Sequence, residues 1–181
     1  MVAAWKILEE KYPSVIVNGC GAYTVNLLVK DICKLPEYQK WLDAARDITG
    51  FIMGRGSLRK RLEKIQAHLV EDGEMEFARV LIYVAETRWY THHLCVRRLL
   101  DNKKAIVQLV GTSVFDAVDS SKKSVVVGWI SDSLFWTTLS AIESDLSPTS
   151  KYVEILEADT CCLSDVYRGF VEMTSAYQGR P

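Results

Sequence analysis

Apolar residues recur at helical spacing along most of this chain. Residues 2–11 place Ala4, Trp5 and Leu8 on one face, and Tyr12-Pro13 ends that helix because proline disfavours helical geometry in the residue before it. Val25, Leu28, Val29 and Ile32 mark a helix over 23–34, broken at Leu35-Pro36. The next helix, 37–53, turns Trp41, Leu42, Ala45, Ile48 and Ile52 inward, and Gly54-Arg55-Gly56 forms a turn. Leu58, Leu62, Ile65 and Leu69 then form an i, i+4, i+7, i+11 stripe. Beyond residue 90 the pattern predicts helices at about 91–101, 103–111, 125–145, 149–158 and 163–177, with a break at Ser147-Pro148.

Two short runs read differently. Residues 14–18 are β-branched and end at Gly19, which predicts a buried strand. Residues 79–85 are nearly all apolar, the mark of a strand covered on both faces. The expected fold is therefore α+β and mostly helical, with few strands in residues 1–89 and a helical region over 90–181. The seam falls just after Trp89.

Composition narrows the functions. A chain of 181 residues with 49% hydrophobic and 25% charged residues can bury a core. Its net charge of −1 excludes a general attraction to polyanions, so any such contact must be local. Five scattered cysteines without a Cys-x-x-Cys pair fit a reducing, intracellular compartment. There is neither a secretory signal pattern nor an apolar run of ~18 residues, so no membrane association is expected.

Candidate chemistry is sparse. His92 and His93 point ~100° apart on a helix and His68 is isolated, so no metal site is expected. Cys20 and Tyr23 supply too few ligands for zinc. Cys161-Cys162 has no basic neighbour to activate a thiol, and Gly54-Arg55-Gly56-Ser57 lacks the rest of a nucleotide-binding loop. Metal-assisted phosphoryl transfer needs carboxylates converging on about two metals, whereas Asp31, Asp43 and Asp47 have ordinary helix-surface spacing and Glu86 stands alone. The densest basic cluster is Arg55, Arg59, Lys60, Arg61 and Lys64, which is either a nucleic-acid footprint or a solvated helix face.

Three blocks together resemble the hAT superfamily of transposases. Asn18 to Asp31 is similar to a family stretch in which Tyr23 takes the place of histidine. Thr87-Arg88-Trp89-Tyr90-Thr91 resembles a second block, and Asp132, Phe135, Trp136, Leu139 and Ile142 with Leu146 and Pro148 resemble a third. The resemblance implies a ribonuclease-H-like core interrupted by a helical insertion, a nuclear location and a metal-dependent DNA transposase in intact members. The family's two aspartates and one glutamate map onto no position here. This implies a segment that is inactive alone and has no catalytic residue, metal or cofactor of its own. DNA contacts would then fall to Arg55, Arg59, Lys60, Lys64, Arg88 and Trp89. Trp89 either stacks on a base or packs the strand–helix junction, and Arg88 reads as a structural anchor. The alternative is a helical interaction or dimerisation module without a nucleic-acid role, which self-associates through exposed Trp129, Phe135 and Trp136.

Overall fold

The computed structural model describes residues 2–14, 20–85, 88 and 90–178. Among them are ten helices: α1 (Val2–Lys11), α2 (Gly21–Cys33), α3 (Pro36–Met53), α4 (Gly56–Glu71), α5 (Tyr90–Asp101), α6 (Lys103–Val110), α7 (Ser113–Asp116), α8 (Lys123–Ser131), α9 (Ser133–Leu156) and α10 (Leu163–Tyr177). Pro36 begins α3 rather than merely ending α2, because its missing N–H falls where a first-turn residue needs none.

The stripes of α3 and α4 do what their spacing requires. Leu42, Ala45, Ile48 and Ile52 meet Leu58, Leu62, Ile65 and Leu69 in one buried cluster, which α5, α6 and α8 complete with residues such as Val96, Leu99, Ile106 and Val126. This cluster draws on both sides of residue 89. A second cluster joins Val25 of α2, Tyr152 and Val153 of α9, and Met173 of α10. Helix α9 serves both: its first half buries Phe135, Trp136, Leu139 and Ile142, and its second half carries α10.

The expected helix over 125–145 is two helices. Asp132 is extended, accepts the backbone N–H of Leu134 at 2.8 Å, and so caps α9 while ending α8. The chain turns by 74° there. Conversely, Ser147-Pro148 does not break α9, which continues through the proline to Leu156. Donors from side chains reach the neighbouring carbonyls: Tyr177 Oη–H donates to Asp145 O at 2.5 Å, and Thr149 Oγ1–H donates to Leu146 O at 2.7 Å.

The expected strand at 79–85 is absent, and no strand occurs among the described residues, which form a helical protein without showing an α/β core. The segment is extended, with one isolated bridge between Ala85 and Arg88. Side chains satisfy its backbone where a sheet would otherwise do so. Arg79 O accepts from Gln66 Nε2 and Asn102 Nδ2, each at 2.8 Å, and Ala85 N–H donates to Thr91 Oγ1 at 2.8 Å. Cover along it is patchy: Leu81 is buried, whereas Val80 and Tyr83 are 65% and 52% exposed. The other expected strand, 14–18, lies outside the described residues except for Ser14, which sits in a turn.

Candidate functional site

Helix α4 divides sharply around its circumference. Leu58, Leu62, Ile65, Gln66 and Leu69 are buried, while Arg59, Lys60, Arg61 and Lys64 are exposed. Lys60 and Lys64 are one turn apart on the side facing away from the core, with Arg61 on their flank. Two carboxylates interrupt the face: Glu63 lies 4.0 Å from Arg59, and Glu71 lies 3.5 Å from His68. Such exposed pairs hold loosely in water, so the lysines keep their reach.

Arg55 belongs to the scaffold instead. Its Nη1 donates to Phe51 O at 2.9 Å, its Nη2 donates to Ser120 Oγ at 3.2 Å, and its guanidinium stacks 4.0 Å from the Phe51 ring centre. It ties the end of α3 to the loop before α8. Of the cations predicted to contact DNA, Lys60 and Lys64 therefore share an open helix face, Arg59 is exposed on its flank, and Arg55 is committed elsewhere.

Arg88 is exposed beside the N-terminus of α5, and its N–H donates to Ala85 O at 3.1 Å. Thr91 Oγ1–H donates to Arg88 O at 2.6 Å, closing this corner. Near this end of α5, His92 borders a recess with Leu42 and Arg46 of α3. Arg55 follows the far end of α3, about 18 Å along the helix axis from that recess. Trp89 and Glu86 lie outside the described residues.

The two histidines expected to form a simple helix entry have separate environments. His93 is 2% exposed, and its Nε2 lies 3.2 Å from Glu143 Oε1 on α9. Burial holds its pKa below the usual histidine range despite the Glu143 carboxylate, which pulls it upward. His92 shares its recess with Cys33, Lys34, Gln39, Asp43 and Val84 as well. Burial first, and then the Arg46 charge, lower its pKa. Nothing in the local sequence signals either environment, because Glu143 is 50 residues from His93.

The remaining candidate chemistry is dispersed. Asp43 pairs with Arg46 at 2.8 Å and Asp47 with Lys122 at 3.7 Å, while Asp31 is exposed. Among the described residues no three His, Cys, Asp or Glu side chains stand close enough to hold a metal ion. Burial pushes the Cys33 thiol up to about 12 and raises Cys95, away from thiolate chemistry. Cys162 Sγ–H donates to Asp165 at 2.9 Å, which holds that carboxyl below its ordinary value.

The aromatic trio expected to be exposed is largely internal. Phe135 is 0% and Trp136 4% exposed, Trp136 Nε1–H donates to Ile130 O at 2.8 Å, and Trp129 packs edge-on against Trp41 at 5.7 Å. These rings form the joint between α3, α8 and α9. Phe135 and Trp136 are thus not exposed, and Trp129 is half-buried.

Comparison with models of protein families, with characterised proteins and with solved structures finds no match to this chain.

Proposed function

We propose that this chain is a helical segment of the hAT transposase type which holds a nucleic-acid backbone on the outer face of α4 and does not cleave it. The observation that carries the reading is the joint exposure of Lys60 and Lys64 on a helix whose opposite side is locked into the core. A rigid helix presenting flexible ammonium groups suits phosphates, which are met by charge rather than by shape. The sequence blocks around Tyr23, Arg88 and Phe135 supply the transposase part of the reading. In it, the extended 79–85 segment is the strand of a partial ribonuclease-H-like core and pairs only where further strands flank it. Base contacts by Trp89 and a nuclear location belong to the same reading.

Fluorescence anisotropy with a labelled DNA duplex, repeated across salt concentrations, tests it. The unmodified chain binds at low salt and weakens steeply as salt rises, while Lys60→Glu/Lys64→Glu binds weakly and lowers the logarithmic salt slope by about 2. Equal binding by both proteins, or none by either, overturns the reading. Metal-dependent nicking of the duplex by the purified chain overturns its inactive part.

A further inference from the structure

The recess bordered by His92 has the form of a ligand site. It lies between the end of α2, the first half of α3, the start of α5 and the extended segment at Val84, and encloses about 590 Å³. That volume falls in the range of small-molecule sites, roughly 300–1,000 Å³. Its floor is apolar: Cys33 and Leu42 are each 4% exposed, and Val84 packs against the same core. Its remaining lining is polar and carries two permanent cations, Lys34 just after α2 and Arg46 of α3, beside Gln39 of α3 and the imidazole of His92 of α5. Among the described residues of the lining the one carboxylate, Asp43, accepts from Arg46 Nη2 at 2.8 Å. That bond orients Arg46 and leaves the other edge of its fork for a ligand.

We propose that this recess binds an organic phosphate monoester. The phosphate sits between Lys34, Arg46 and His92, with the Gln39 amide as a further donor, and the organic part lies on Cys33, Leu42 and Val84. The chemistry favours a phosphate because three nitrogen-bearing side chains, from α3, α5 and the residue after α2, line one recess with an apolar floor. A bare inorganic ion would leave the floor unused, whereas a monoester uses both. Among the described residues, the charged groups that line the recess with His92 are Lys34, just after α2, and Asp43 and Arg46 of α3, of which Arg46 and Asp43 act on its charge. A bound dianion raises the His92 pKa from its lowered position, a response that a merely structural recess does not give.

The test is an NMR titration of the full chain with phenyl phosphate, following the His92 imidazole signals. Phenyl phosphate shifts those signals, raises the His92 pKa and binds about tenfold more tightly than inorganic phosphate, the difference a few buried carbons supply. Arg46→Gln and Lys34→Gln each weaken it about tenfold, as loss of a charge-assisted bond predicts. Both side chains lie at the surface, so unchanged backbone spectra verify that the fold survives. Lys60→Glu/Lys64→Glu leaves this binding unchanged, which separates the recess from the α4 face. Competition by an oligonucleotide only when it carries a 5′-phosphate identifies a nucleic-acid end as the source of the monoester, and no competition identifies a small molecule. The absence of any His92 shift at ~10 mM phenyl phosphate, or unaltered affinity in both recess variants, overturns the proposal.

Discussion

The ring of Tyr152 on α9 fills the space where a side chain on Gly169 of α10 would stand. A Cβ at Gly169 would lie 1.6 Å from Tyr152 Cε2 and 2.0 Å from Cδ2. Tyr152 is 3% exposed, packs edge-on against Phe170 at 5.3 Å, and donates its hydroxyl to the Val166 carbonyl, so the ring has nowhere to swing. Glycine is needed here for close approach between helices rather than for backbone freedom. Gly169→Ala should therefore force α10 away from α9 and destabilise the chain by about 1–3 kcal/mol, the usual cost of overpacking. Urea denaturation of the two proteins measures it; an unchanged midpoint would show that α10 docks some other way.

A second prediction concerns the anchor of the extended segment. Gln66 Nε2 reaches both Arg79 O and, at 2.5 Å, Asn102 Oδ1, while Asn102 Nδ2 bonds Arg79 O and Arg98 O. Asn102 is 0% exposed. Asn102→Ala strips a buried carbonyl of a donor and is expected to cost about 1–3 kcal/mol. Hydrogen exchange should quicken in residues 79–85 more than in α9, because the lost bonds fasten that segment.

The pH dependence of stability follows from the histidines. Burial lowers the folded-state pKa of both His92 and His93, so the unfolded chain binds the extra proton more readily. Stability is then fully present above the ordinary histidine value of about 6.5 and falls as pH drops through it toward the lowered folded values. His93→Gln keeps an amide near Glu143 and removes the titration. Its thermal midpoint should fall less between about pH 7.5 and about pH 5.5 than that of the unmodified chain. A drop of equal size in both proteins would assign acid sensitivity to other groups.

Arg55 and Lys60, five residues apart, should respond oppositely to truncation. Arg55→Ala removes two hydrogen bonds and a stacking contact on Phe51, an expected loss of about 1–2 kcal/mol by chemical denaturation. Lys60→Ala touches only solvent and should stay within about 0.5 kcal/mol of the original stability. DNA binding, measured in parallel, should fall for Lys60→Ala at unchanged stability.

Much of the helical plan was legible because a helix packed on one side must repeat its apolar residues every three or four positions. Leu58, Leu62, Ile65 and Leu69 announce α4 and its buried side together, and the expected 163–177 helix coincides with α10. The basic residues of α4 were legible as a cluster for the same reason, since they fall between the members of the stripe. The apolar run at 79–85 was misleading because a strand is defined by its neighbours. Its backbone bonds go to Gln66, Asn102 and Thr91, residues that no local pattern connects to it. Pro148 misled in the opposite direction, since α9 continues through it to Leu156.

The sequence by itself determined that this chain is mainly helical, which faces of α3 and α4 turn inward, and where its basic residues cluster, because periodicity and charge are local properties. Tertiary structure alone decided that Arg55 is an anchor while Lys60 and Lys64 stay open, that Trp136 is internal, that His93 meets Glu143, and that Lys34, Arg46 and His92 border one recess. Each of those facts depends on residues far apart in the chain being brought together by the burial of a shared core, and burial is a property of the whole fold.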